Sequence, residues 1–249
     1  MIPKKLHYCW FGGKEKPETL VRCLKSWQLY CPDYQITEWN ETNTKSFSNR
    51  FYKNALRKRK YAFVADYVRA KVLFEEGGVY LDTDMLLVRS VDDLLKYDFF
   101  IGEEVSGRIA FGLFGARPKH RFLEKMLAFY NSNYFDNFSR PVITHKFSPL
   151  INKDTISTNE VILAPPYFYP LPYEQKEADH HSFLKPESYA VHLWDHSWGE
   201  EMNTTAWSWI KKLSEVTVDF LFYGYPYSYF KRYFRGFSRQ LYYALKKKP

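Results

Sequence analysis

The sequence predicts an α/β domain with a mostly parallel central sheet, followed by a helical C-terminal segment that is basic and aromatic. Three observations carry that expectation. A strand–helix–strand unit lies between Leu6 and Trp39, a second helix–strand unit is joined at Gly77-Gly78, and the composition changes sharply from Val218 onward. Strands and helices that alternate in this way build parallel sheets with crossover helices.

The elements follow in order. Leu6 to Phe11 is a short apolar and aromatic run closed by Gly12-Gly13, which reads as a buried first strand and a turn. Pro17 opens a helix through Leu20, Leu24 and Trp27, apolar positions four and three apart. Tyr34 to Trp39 alternates as a strand, and Asn40-Glu41-Thr42-Asn43 breaks it. After a basic stretch from Arg50 to Lys60, Ala62 to Glu76 carries apolar residues at helical spacing, with Gly77-Gly78 as the C-terminal stop. Val79-Tyr80-Leu81 is a strand, Asp82-Thr83-Asp84 follows, and Met85 to Val88 is a further apolar strand. Asp98 to Gly102 and Ile109 to Ala116 are strand candidates, and Lys119 to Tyr130 is a helix. Residues 131 to 190, rich in Pro and Tyr, give no assignment; Tyr189 to Trp194 reads as a last core strand. There are no internal repeats.

Composition narrows the function. A length of 249 residues suits one large domain, or one domain with an appendage. A net charge of +8 points to an anionic partner: a nucleotide diphosphate, an acidic glycan, nucleic acid or anionic lipid. No nucleic-acid-binding signature is present, which makes nucleic acid the weakest of the four. Cys9, Cys23 and Cys31, an odd set without C-x-x-C spacing, read as reduced thiols of a cytosolic protein. The N-terminal residues show no signal-peptide stretch, and no run of about 18 apolar residues occurs.

Asp82-Thr83-Asp84 is the centre of the chemistry. At the frayed end of a strand, residues i and i+2 point the same way, so both carboxylates can face one site. Two hard oxygen ligands suit Mg²⁺ or Mn²⁺, with diphosphate oxygens and water completing the shell. Two carboxylates between buried strands are costly unless a cation meets them.

The stretch AFVADYVRAKVLFEEGGVYLDTDM resembles the signature of glycosyltransferase family 32, the sugar-binding region containing a DxD motif. That family includes capsular polysaccharide glycosyltransferases and yeast-type initiating mannosyltransferases, and the clostridial glucosylating toxins are similar. IPKKLHYCWFGG and SWQLYCPDYQITEWNETN resemble its first two strands; matching blocks run from about residue 2 to 118 and recur near 160 to 200. The resemblance implies a GT-A type fold and transfer of a hexose, with retention, from a nucleotide sugar to a glycan. The favoured donors are UDP-galactose and UDP-glucose, with Mn²⁺ or Mg²⁺ as cofactor. The change of composition near Val218 divides the chain into an expected transferase domain over residues 1–214 and a helical C-terminal segment, expected to bind a membrane surface, over 215–249.

By the same resemblance Asp82 and Asp84 match the metal-binding carboxylates, Asp84 as the direct ligand and Asp82 also near the ribose. Asp66 and Arg69 match a helix pair that contacts donor sugar and ribose; three apart, they share one helix face. Arg69 also has the fork to stabilise charge on a leaving diphosphate. Tyr80 matches a phenol near the donor phosphates, and Trp10 the aromatic that stacks on the donor base; core packing is the competing role for both. Val191 to Trp198 resembles a late histidine motif, in which His192 is the third metal ligand, His196 its rival, and Ser197 and Trp198 line the diphosphate. The toxin pattern has a carboxylate at the corresponding place, so the third ligand stays open. GRIAFGLFGA resembles the segment lining the acceptor and donor-sugar pocket, but Ile109 and Ala110 stand where a polar residue is common. Glu103 and Glu104 nearby are either exposed or acceptor-binding.

From Asp219 to Pro249 there are 12 Phe and Tyr, seven Lys and Arg, and one acid. Phe230, Tyr233, Phe234, Phe237, Leu241 and Leu245 recur at helical spacing beside Lys231, Arg232, Arg235 and Arg239. Such a composition belongs to an interfacial helix on anionic lipid, or to a helix packed on a core with a solvated basic side. The expected setting is the cytoplasmic face of a bacterial inner membrane, with a lipid-linked acceptor for surface polysaccharide. A nucleotidyl- or phosphoryl-transfer enzyme is the alternative, though no phosphate-cradling Gly loop is present. A non-catalytic glycan- or lipid-binding module leaves the buried acid pair unexplained.

Overall fold

The computed structural model describes residues 1–139, 143–195 and 206–246, without the side chains of residues 145, 206–209, 240–241 and 243–246. Two compact units are present, Met1–Trp198 and Gly199–Pro249.

In the first unit the chain runs β1 (Lys5–Cys9), α1 (Glu18–Tyr30), β2 (Gln35–Trp39), α2 (Arg50–Arg57), α3 (Tyr61–Glu76), β3 (Gly78–Leu81) and β4 (Met85–Leu87). It continues through β5 (Phe99–Val105), β6 (Arg108–Ala116), α4 (Arg121–Ser132), α5 (Ile143–Phe147), β7 (Glu160–Leu163), α6 (Pro165–Phe168) and β8 (Ala190–His192). Six strands form the central sheet in the order β2-β1-β3-β6-β5-β7. The β1–β2, β1–β3 and β5–β7 pairs are parallel, and β6 is antiparallel to both neighbours. The sheet is therefore mostly parallel, as the sequence led one to expect.

Period-2 alternation divides the core into two layers. Leu6, Tyr8, Val79 and Leu81 enter one apolar cluster with Trp27 of α1, while Cys9, Tyr80 and Phe114 enter the other with Val68 and Val72 of α3. On β6 the alternation slips. Ile109 and Phe111 share a face with Phe114 and Ala116, although an odd–even change separates the two pairs. The slip is a bulge: the β5 partners step only from Ile101 to Gly102 while those on β6 step from Phe114 to Ala110.

Gly77 ends α3 with φ 67°, and its N–H donates to Leu73 O at 2.9 Å. A Cβ there would lie 2.6 Å from Pro118 Cδ and 2.9 Å from Pro3 Cδ, so glycine is required for the tight entry into β3. The stretch that gave no sequence assignment contains β7, which is held at its start by Glu160. That buried carboxylate accepts from Arg121 and pairs with His120 Nε2 at 2.8 Å, a tie to α4 that no local pattern announces.

Two expectations are revised. Tyr189–Trp194 does contain a strand, but β8 pairs only with β4, antiparallel, in a two-stranded ribbon outside the central sheet. The Asp-Thr-Asp triplet lies between β3 and β4 rather than on a strand, so strand alternation does not set where its carboxylates point.

The second unit contains α7 (Ala206–Phe222) and α8 (Tyr227–Lys246), joined by a short turn. α7 runs without interruption through residue 214. Among the described residues no helix is long and apolar enough to cross a membrane.

Candidate functional site

At the C-terminal end of β3, α3 and the β6 bulge meet the acid triplet. Arg69 and Asp66 project from one face of α3, and both are buried. Arg69 Nη2 lies 3.2 Å from Asp66 Oδ1 and 3.1 Å from Asp82 Oδ1. Its Nη1 donates to Phe111 O at 2.7 Å, and its Nε to Ala65 O at 3.4 Å. The guanidinium carbon sits 4.5 Å from the Tyr80 ring centroid, and Tyr80 OH donates to Asp82 Oδ1 at 3.1 Å. Asp66, Arg69, Tyr80 and Asp82, all named from the sequence, are thus one connected group. The donors of Arg69 end on protein atoms, so the guanidinium fixes the two carboxylates rather than presenting an open fork.

Burial pushes the Asp66 carboxyl up to about 7, with Arg69 opposing the rise. Burial likewise raises Asp82, and Asp84 adds to that while Arg69 opposes it. Burial works against the charge on Arg69, but Asp82, Tyr80 and Asp66 outweigh it and raise the guanidinium further.

A second pair lies beside the first. Asp84 Oδ2 is 3.0 Å from His192 Nε2 and accepts from the Asp195 N–H at 3.1 Å. The β4–β8 ribbon sets this contact: Met85 is in register with His192, and Leu193 N donates to Asp84 O. Although burial works against a charged imidazole, Asp84 reverses the balance and raises His192. Two residues on, Trp194 has φ 57°, a strained conformation for a side chain of this size, and its Nε1 is pinned to Leu171 O at 2.9 Å.

The β6 bulge builds the floor. It frees the Gly112 and Leu113 N–H groups from the β5 ladder, and Tyr169 OH accepts both, at 3.1 and 3.3 Å. Gly112 O in turn accepts the Asp82 N–H at 2.7 Å. A Cβ on residue 112 would stand 3.0 Å from Tyr169 OH and 3.2 Å from Asp82 Oδ2, so this glycine leaves room where the carboxylate turns. The Tyr169 ring also packs edge-on against His192 at 5.7 Å. Sequence reasoning missed Tyr169 and Gly112; the hint was a glycine inside an otherwise bulky strand. Tyr169→Phe is expected to leave two buried N–H groups unpaired and to cost roughly 1–3 kcal/mol of stability. Chemical denaturation checks this, and an unchanged midpoint means that water replaces the phenol.

The residues present fit a divalent cation. Asp82 uses Oδ1 for Arg69 and Tyr80, and Asp84 uses Oδ2 for His192 and Asp195. Among the described residues each therefore keeps one carboxylate oxygen outside these contacts; His192 turns Nε2 toward Asp84, while its buried Nδ1, on the far side of the ring, has no hydrogen-bond partner. Hard oxygens with one imidazole suit Mn²⁺ or Mg²⁺. The three side chains are not drawn into one tight cluster, because Asp82 turns to Arg69 and Asp84 to His192. Asp179, His180 and His181, consecutive at a turn where His180 is half-buried, do form such a cluster, with donor atoms within 4.8 Å of one another.

Trp10, at the end of β1, is buried, and its Nε1 donates to Lys14 O at 2.9 Å. It borders a cleft of about 490 Å³ with Lys14, Lys16, Glu38, Asn40 and Thr42. Of the two acids in question Glu104 pairs with Arg108 at 2.9 Å, and both it and Glu103 are half-buried. His196, Ser197 and Trp198 lie outside the described residues.

The chain is similar to known glycosyltransferases in sequence. Residues 17–101 match the family described as "Glycosyltransferase sugar-binding region containing DXD motif". The human alpha-1,4-N-acetylglucosaminyltransferase is 27% identical over 57% of this chain and 46% of its own length. Inositol phosphoceramide mannosyltransferase 3 of Schizosaccharomyces pombe is 32% identical over 49% of this chain and 35% of its own. The chain thus spans less than half the length of these two relatives. An uncharacterized glycosyltransferase of Acanthamoeba polyphaga mimivirus is 28% identical over 66% of this chain and 70% of its own. Among solved structures, PaToxG Glycosyltransferase has a TM-score of 0.48 and 16% identity, over 62% of this chain and 72% of that one. The matched region contains Asp66, Arg69, Tyr80 and both acids of the triplet, and over that region the chain resembles the glycosyltransferases with a DXD sugar-binding region.

Proposed function

We propose that the chain is a metal-dependent, retaining hexosyltransferase of GT-A type that moves a sugar from a nucleotide sugar to a glycan. The observation that carries the proposal is the pairing of Arg69 with Asp66 and Asp82 beside the Asp84–His192 pair, at the ends of β3 and β4. In the reaction the bond between anomeric carbon and diphosphate oxygen breaks. A bond to an acceptor hydroxyl oxygen forms, and the hydroxyl loses its proton. Asp82 and Asp84, with His192, are the residues to hold Mn²⁺ or Mg²⁺, which when bound supplies a Lewis acid and template for the diphosphate. Arg69 holds Asp82 in its ionised form and fixed direction, Tyr80 adds a hydrogen bond to the same oxygen, and Asp66 balances the guanidinium. Trp10 offers an apolar face for the donor base beside the cleft it borders. Ser197 and Trp198 remain candidates for the diphosphate, and His196 for the metal.

UDP-galactose and UDP-glucose are the leading donors. The relatives named for N-acetylglucosamine and mannose transfer put UDP-N-acetylglucosamine and GDP-mannose on the same panel. The proposed setting is bacterial surface polysaccharide synthesis, with a lipid-linked acceptor, at the cytoplasmic face of the plasma membrane. Its support is the basic aromatic C-terminal segment, which suits an anionic membrane surface.

Donor hydrolysis with Mn²⁺, read as nucleotide release across that panel, tests the activity. Release from one donor that stops in excess chelator is expected. Equal turnover in chelator removes the metal from the proposal, and no release with any donor removes the proposal itself.

A further inference from the structure

We propose that the α7–α8 hairpin meets an anionic lipid bilayer turn-first. The apolar residues around its turn enter the membrane, and Lys231 and Arg235 lie at the level of the lipid phosphates. Given the membrane-surface reading above, on which this rests, the gain is an orientation and a set of inserting residues.

Helical spacing alone puts Phe230, Tyr233 and Phe234 in one stripe, but the hairpin separates them. Tyr233 is buried with Tyr229, the two rings 5.1 Å apart, and Tyr229 OH donates to Asp219 Oδ2 at 3.3 Å. Phe230 and Phe234 lie on another side, where Phe220, Tyr227 and Phe230 form a run of ring contacts across the two helices at 5.3–6.3 Å. That run leads to the turn. Leu221 is 62% exposed, Phe222 75%, Tyr223 43% and Tyr227 60%. Four large apolar side chains bared within seven residues form a patch, whereas single exposed apolar residues are ordinary.

Charge identifies the occupant. α8 carries Lys231, Arg232, Arg235, Arg239 and Lys246 and no acid. On α7, Asp219 is fully buried and Glu215 half-buried, so neither puts an exposed carboxylate near the turn. Lys231 Nζ is 5.9 Å from the Tyr227 ring, one helical turn from the patch. Lys231 and Arg235 lie about 6 and 12 Å along the axis from Tyr227. Rings buried about 5–10 Å below the headgroup boundary therefore bring these two charges to the phosphates. An apolar protein partner would leave the cations unmatched; an anionic bilayer takes both.

The test uses the full chain. Cys9, Cys23 and Cys31 are buried, and burial pushes their thiols up, so a cysteine introduced at an exposed position labels selectively. Phe222→Cys and, as a control in the first unit, Lys153→Cys are each labelled with the environment-sensitive fluorophore NBD. They are mixed with vesicles of phosphatidylcholine, with or without phosphatidylglycerol. The expected result is a blue shift and intensity rise for the label at 222, on phosphatidylglycerol vesicles alone, with none at 153. Lys231→Ala with Arg235→Ala is expected to weaken cosedimentation about thirtyfold, at about one factor of five per charge. If the chain sediments with anionic vesicles but the label at 222 stays aqueous, the turn-first proposal falls and the membrane-surface reading stands. If the chain does not sediment with them, both fall. An equal shift on neutral vesicles overturns the choice of an anionic surface.

Discussion

Asp84→Ala is expected to abolish donor hydrolysis and sugar transfer, a loss on the order of 10³-fold, the scale of removing one strong electrostatic contact from an active site. Asp84 joins the two ends of the site: its Oδ2 faces His192 on β8 and accepts the Asp195 N–H, and its other oxygen lies outside these contacts. The same substitution leaves the Asp195 N–H without its acceptor and costs about 1–3 kcal/mol. Asp84→Asn separates the two effects. It retains a carbonyl for the N–H and loses only the charge, so stability stays near that of the parent while activity falls as far as in the alanine variant. Nucleotide release and thermal denaturation, measured on both variants, give the answer. An asparagine variant with near-parental turnover would show that the charge is not used.

Arg69→Met is expected to destabilise the first unit by about 3–5 kcal/mol, the usual result of removing one partner from a buried ion pair. Asp66 and Asp82 would then face each other with no cation between them, and the Phe111 carbonyl would lose its donor. Adding Asp66→Asn to Arg69→Met should restore part of the stability, since one of the two stranded charges is gone. Activity should not return, because Asp82 keeps its hydrogen bond from Tyr80 but has lost its cationic partner. Urea unfolding of the single and double variants gives the cycle directly. A double variant no more stable than Arg69→Met would mean that Asp66 is already protonated, consistent with a carboxyl pushed up to about 7 by burial.

Much of this arrangement is legible in the sequence. Apolar spacing outlined β1, α1, α3 and β3, because their apolar residues form short buried runs in the strands and recur at helical spacing in the helices, and Gly77, with φ 67°, marks the end of α3. Asp66 and Arg69 stood out as charges on an apolar helix, and they are paired in the core. The rest was hidden for a common reason: it depends on neighbours distant in sequence. Periodicity marks β8 as a strand but says nothing of its partner, and so the ribbon with β4 was taken for the sheet. The bulge on β6 becomes visible only when β5 sets the register, and Tyr169 acquires a role only because that bulge frees two N–H groups. The triplet was recognised through its context, but its carboxylates diverge because Arg69 and His192 draw them apart, which strand alternation cannot express.

The ribbon has a further consequence, for the order in which the protein becomes competent. Asp66, Arg69, Tyr80 and Asp82 come from one short stretch of chain and can meet early, as soon as α3 packs on β3. Met85 and His192 are about a hundred residues apart, and closing a loop of that length precedes any reward from the contact. Met85, Leu87, Ala190 and Val191 of the ribbon are buried in the core, so the ribbon is held by that packing. The histidine side of the site is thus expected to be completed late in folding. A chain stalled on the way would already hold its arginine-bound acids but lack the histidine, and so would be compact and inactive.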